Sequence, residues 1–129
     1  MKKQIDAYKS VKTSHEVTPY VAVQMLLDGA VERLNLAALA QEQGNTGARG
    51  EAVGTTITII GVLQSSLDKD LGGELAQNLD NLYDYMNRRL VGVALDDTPR
   101  SLLEVKALLL EIRDAWAVIG PEVEPSASN

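Results

Sequence analysis

The sequence predicts an all-α fold, an antiparallel four-helix bundle with an N-terminal cap segment and a disordered C-terminal tail. Three observations carry that prediction. Leu, Ala and Val are plentiful, whereas the 129 residues include no Phe and a single Trp, a composition suited to helices packed through aliphatic side chains. Apolar residues recur at helical spacing in four successive stretches. Thr-Pro pairs or glycine clusters separate those stretches, and these are start and stop signals for helices.

The leader, residues 1–17, carries few apolar residues, and two of them, Ile5 and Tyr8, share a face if the segment is helical. Thr18 followed by Pro19 reads as an N-cap with proline at the first helical position, where a missing amide hydrogen costs nothing. From there Val23, Leu26, Leu27, Ala30, Leu34, Ala37 and Ala38 form one stripe, with Gln24, Asp28, Glu32 and Asn35 opposite. Residues 43–50, with three glycines, an Asn and a Thr, read as the loop that ends this helix.

The second segment, residues 51–70, is ambiguous on propensity, because Thr55 to Val62 is dominated by β-branched residues that favour a strand. Val53, Ile57, Ile60, Leu63 and Leu67 also fit a helical stripe, and a lone strand among helices has no pairing partner. It is therefore read as a helix. Asp70, Leu71, Gly72 and Gly73 mark a tight turn. A third helix begins near Gly73 with the stripe Leu75, Leu79, Leu82, Met86, Leu90 and Val93, widened by Ala76 and Tyr83. Thr98 and Pro99 repeat the cap arrangement and open a fourth helix on Leu102, Val105, Leu109, Ile112, Trp116 and Ile119, stopped by Gly120 and Pro121. Residues 121–129, rich in Pro, Ser and Glu, read as a flexible tail, so the bundle is expected over residues 18–120. Helices of about 20 residues span roughly 30 Å, and short connections set neighbours antiparallel.

Composition also narrows function. Without cysteine there is no disulfide framework, thiolate metal site or cysteine nucleophile, and a reducing, cytoplasmic setting fits. A net charge of -6 with no run of Lys or Arg argues against nucleic acid. No segment approaches the roughly 20 apolar residues of a membrane span, so membrane insertion is not expected. A di-metal bundle site needs two Glu-x-x-His pairs, and the chain has one histidine, His15, in the leader. No phosphate-binding loop or nucleophile elbow is present, and Asp28, Asp80 and Asp84 read as solvated carboxylates on polar faces. Neither catalysis nor a cofactor is expected. What remains is a binding module.

The stretch GGELAQNLDNLYDYMNRRL, residues 72–90, closely resembles the third helix of the flagellar secretion chaperone family. Ala7-Tyr8 is similar to that family's leader tyrosine, residues 18–34 (TPYVAVQMLLDGAVERL) to its first helix, and residues 108–116 (LLLEIRDAW) to its last. Leu27 stands where the family usually has Tyr, and Tyr20 where it often places a polar residue. The resemblance implies a cytoplasmic export chaperone that binds the C-terminal segment of flagellin, which wraps the bundle in largely extended form with helical pieces in apolar grooves. It further implies that the leader covers part of that groove and is displaced by the client, with Ile5 and Tyr8 as anchors. Tyr83 and Tyr85 lie two apart, roughly 200° around a helix, so only one faces the core; Tyr83 joins the stripe and Tyr85 faces the surface. The partner-binding residues expected on this reading are Ile5, Tyr8, Leu27, Tyr83 and Tyr85, while Trp116 is read as core. Two alternatives stand beside it: a flagellar regulatory adaptor of the same fold, partnered by an anti-sigma factor or an export-gate component, and a phosphotransfer domain acting through His15.

Overall fold

The computed structural model describes residues 17–96 and 98–120. Four α-helices follow one another: α1 (Pro19–Glu42), α2 (Thr46–Ser65), α3 (Lys69–Val91) and α4 (Arg100–Ile119), with a 3-10 turn at Gly92–Leu95 before the last. No strand occurs among the described residues.

The first cap is as predicted. Thr18 is extended, and its Oγ1 accepts the Val21 amide at 3.1 Å with Pro19 at the head of the helix. The loop after α1 is shorter than the predicted 43–50. Asn45 already caps α2 by accepting the Ala48 amide at 3.1 Å, so Gly47 and Gly50 fall within the helix. Cap chemistry and the burial of Ala52 and Val53 outweigh the modest helix cost of two glycines. Only Gly44, with φ 71, serves as a turn glycine there.

The β-branched run is helical. Thr55, Thr56 and Thr58 each donate a hydroxyl to a carbonyl four residues back, at 3.1, 2.9 and 3.2 Å, so no hydroxyl needs an outside partner. Thr56 is fully buried together with Ile60 and Leu63, and Ile57 and Leu67 pack at the core's edge.

α2 stops at Ser65, short of the expected Asp70, because Asp68 begins the next helix. Its Oδ1 accepts the amides of Asp70 and Leu71, both at 3.1 Å. The predicted turn at residues 70–73 is therefore one helical turn, Lys69 to Gly72, followed by a break at Gly73 (φ 51, ψ -126). Beyond it Ala76, Tyr83, Met86 and Leu90 are buried. Leu75, expected in the stripe, is 65% exposed, because no helix covers the face it occupies just past the break.

The fourth cap is shared: the Thr98 hydroxyl accepts the Arg100 amide at 3.3 Å, in keeping with its predicted role, and Asp96 adds a stronger acceptor. Pro99 precedes α4 without a side-chain bond, and the carboxylate of Asp96 organises the turn. Asp96 Oδ1 accepts from the Thr98 amide and hydroxyl, both at 3.1 Å; Oδ2 accepts from the Ser101 amide at 3.2 Å and hydroxyl at 2.7 Å. These bonds, led by the Ser101 hydroxyl, hold its carboxyl well below the usual carboxylate range. Ser101 itself is buried. Ile119, expected in the stripe, is 39% exposed and lies at the frayed end before Gly120.

Contacts between helices fix the antiparallel order. The start of α1 meets the end of α4 through Tyr20 and Trp116. Gln64 near the end of α2 donates to Asp80 and Asp84 of α3 at 2.9 and 2.8 Å. Tyr85 of α3 reaches Glu104 near the start of α4. The core runs through Leu27, Leu34, Ile60, Leu63, Met86, Leu90, Leu102 and Leu109. α1 packs most extensively, against α2 and then α4, while α3 is held more loosely by its neighbours.

Candidate functional site

An apolar groove opens where the start of α1, the end of α2, the start of α3 and the end of α4 converge, enclosing a cavity of about 480 Å³. α1 contributes Val23, α2 contributes Leu63 with Leu67 just beyond its end, and α4 contributes Ile112 and Trp116. From α3 come Leu71, Leu75, Leu79 and Tyr83. Single exposed apolar residues need no explanation, but several lining one concavity mark a binding surface.

Each wall has a local cause. Trp116 is set by Tyr20, whose ring stacks on it with centroids 5.1 Å apart and planes 15° apart. Tyr20 donates its hydroxyl to the Trp116 carbonyl at 3.1 Å, and the Trp116 indole N–H donates back to the Tyr20 carbonyl at 2.9 Å. The Trp116 side chain is thereby held half-buried at the rim. Its expected place was the core; it packs against the core's edge, partly buried, and lines the groove. Tyr83 lies at the floor, 3% exposed, and burial pushes its phenol up to about 12. The α3 wall is anchored by Gln64 and by Lys69, whose ammonium lies 3.1 Å from Asp80. Those two contacts, Gln64 foremost, lower the Asp80 pKa.

Of the residues expected to bind a partner, the three that the structure describes are not brought together in one place. Tyr83 lines the groove. Tyr85 lies outside it, near the start of α4, where its hydroxyl donates to Glu104 Oε1 at 2.6 Å and Arg89 donates to the same oxygen at 2.9 Å. The bond to Glu104 raises Tyr85, and the same bond lowers Glu104. Leu27 has no exposed surface and belongs to the core, so it offers a partner no contact of its own. Ile5, Tyr8 and His15 lie outside the described residues. Sequence reading missed Leu67, Leu71 and Leu75 as groove residues. The one signal for them was the i, i+4 succession Leu67, Leu71, Leu75, Leu79, which crosses the glycine pair.

Among the described residues no group of three or more His, Cys, Asp or Glu could hold a metal ion, and no helix is long and apolar enough to cross a membrane. A helical bundle with an aliphatic groove at one end has the form of a binding module, a scaffold whose concave apolar surface suits the apolar face of a ligand.

Comparison with known proteins gives that class a family. The model of the family described as Flagellar protein FliS matches residues 1–123, and this chain belongs to the FliS family. It is 38% identical to the flagellar secretion chaperone FliS of Vibrio cholerae, over 95% of this chain and 92% of the relative. It is 42% identical to the FliS chaperone of Salmonella typhimurium, over 92% of this chain and 90% of the relative. With the flagellar secretion chaperone FliSB of Pseudomonas aeruginosa it shares 40% identity, over 88% and 93% of the two chains.

Proposed function

We propose that this chain is a cytoplasmic export chaperone that binds the C-terminal segment of flagellin and keeps it unassembled and ready for flagellar type III secretion. The observation that carries this reading is the open groove between the helix ends, in a chain of the FliS family. Amphipathic helical pieces of the client seat their apolar face against Leu67, Leu71, Leu75 and Trp116, which solvent reaches in the free protein. Burying one leucine completely is worth about 1.5–3 kcal/mol, so a few such contacts are needed to offset the cost of ordering a disordered client. While seated there, those faces are withheld from the partners they would meet in a filament. The chain acts by occupancy and catalyses nothing. Ile5 and Tyr8 of the leader are proposed as contacts or competitors at the same site.

The test is co-purification with full-length flagellin and with flagellin lacking its C-terminal segment. A 1:1 complex is expected with the first and none with the second; equal binding to both would refute the proposal. Removing residues 1–17 distinguishes the roles of the leader, since a competitor's loss tightens client binding and a contact's loss weakens it.

A further inference from the structure

The turn from Lys69 to Gly72 has the features of a movable part. It is a self-contained unit, capped at its start by Asp68 and closed by the Gly72 amide donating to the Asp68 carbonyl at 2.8 Å. The break follows at once. Gly73, at φ 51 and ψ -126, occupies a region that only glycine enters readily, inside what is otherwise one helix from Lys69 to Val91. Every residue from Asp68 to Leu75 is exposed, so the turn is not held by packing. Among the described residues its side-chain tether to the body of α3 is the single pair Lys69–Asp80, whose lysine is half exposed. Leu71 lies on the groove rim yet is 88% exposed, and Leu75 beside the break is 65% exposed.

Helical geometry shows what the break withholds. In an uninterrupted helix, steps of about 100° per residue would set Leu71, Leu75, Leu79 and Leu82 within one sector of roughly 80°. With Gly73 outside helical dihedrals the first of these is out of register with the other three and stays 88% exposed at the rim. The groove thus has a wall whose outermost leucine is present but not engaged.

We infer that Gly73 is a hinge about which the Lys69–Gly72 turn closes on the segment seated in the groove, delivering Leu71 as a client contact. This rests on the chaperone reading, with the amphipathic C-terminal segment of flagellin as the occupant. Closure buries Leu71 against the client and turns a four-sided groove into a clasp.

The experiment uses the full chain with full-length flagellin. Leu71→Asp changes a side chain that is solvent-exposed in the free protein, so its melting temperature should match wild type while affinity for flagellin falls about tenfold or more; Leu71→Met should restore most of the loss. Hydrogen exchange at the amides of residues 71–74 should be fast in the free chain and slowed in the complex. Gly73→Ala, which disfavours the broken state and favours the uninterrupted helix, should slow exchange in the free chain and so diminish that difference without weakening binding. Wild-type affinity for Leu71→Asp, or exchange unchanged on binding, would overturn the clasp. Absence of binding by the wild-type chain would instead overturn the chaperone reading beneath it, so the two failures are distinct.

Discussion

Replacing Tyr20 tests whether the first turn of α1 and the last turn of α4 are locked together by ring packing or by the hydroxyl. Tyr20 is 8% exposed and stacks on Trp116 at 5.1 Å. Truncation to Ala removes a buried aromatic side chain and should cost about 3–5 kcal/mol, of which roughly 0.5–1.5 is the stacking itself. Tyr20→Phe keeps the ring and loses the 3.1 Å bond to the Trp116 carbonyl. That carbonyl still accepts from the Gly120 amide, so the loss should be only about 0.5–1.5 kcal/mol. At about 3–5 °C per kcal/mol, between the values for smaller and larger domains, Ala should lower the Tm by about 9 °C or more and Phe by less than about 8 °C. Thermal and urea melts followed by circular dichroism, with emission from Trp116, the only tryptophan, read in parallel, measure the Tm shifts and the free-energy losses. The Ala variant should also shift native emission to the red as the indole loses its cover. A Tyr20→Ala cost no larger than that of Tyr20→Phe would refute the ring-packing account.

Further perturbations reach other parts of the bundle. Folding favours the protonated Tyr83 phenol, whose pKa rises from 10.0 to about 12, so the stability it contributes is full below pH 10 and lost as pH climbs through that window; urea midpoints from pH 9 to 12 should fall less in Tyr83→Phe than in wild type. Asp96 has the opposite sign, its carboxyl being lowered by Ser101 and Thr98, so its contribution is present above about pH 4 and is lost on acidification. Asp96→Ala should accordingly lower the Tm at pH 7, with the gap to wild type closing as the pH falls below 3. Gly50, Gly54 and Gly61 lie inside α2, and a methyl group added at any of them would meet nothing within 4 Å. Each change to Ala should therefore stabilise by about 0.5–1 kcal/mol, measurable as a higher urea midpoint.

Much of the bundle could be read from the chain because its signals are local. Thr18 and Pro19 announced α1, and the spacing of Leu34, Met86 and Leu109 placed each of them in the core. Errors arose where local signals compete. Gly47 and Gly50 suggested a loop, but Asn45 one turn earlier had already nucleated the helix. Thr98 does accept the Arg100 amide, but Asp96, passed over in the sequence, reaches both the turn and Ser101 with two oxygens where a hydroxyl has one. The groove was the least legible feature. Periodicity says which face of a helix is apolar, not where neighbouring helices stop covering it, so Trp116 and Leu75 matched core positions and lie at an opening. Tyr20 was visible only as a departure from its family's pattern; its ring contact joins residues far apart in the chain.

The run Thr55-Thr56-Ile57-Thr58-Ile59-Ile60 is uncharged, contains no proline and is rich in β-branched side chains, the signature of a segment able to stack into cross-β fibrils. Within α2 its backbone groups are bonded along the helix and Thr56 and Ile60 are sealed from water. The protection ends when the helix melts. The fold thus keeps a fibril-competent hexapeptide out of reach, by helix hydrogen bonds and by packing together. Heating should give aggregation and a scan-rate-dependent transition, and destabilising variants should lose soluble yield out of proportion to their loss of folding free energy.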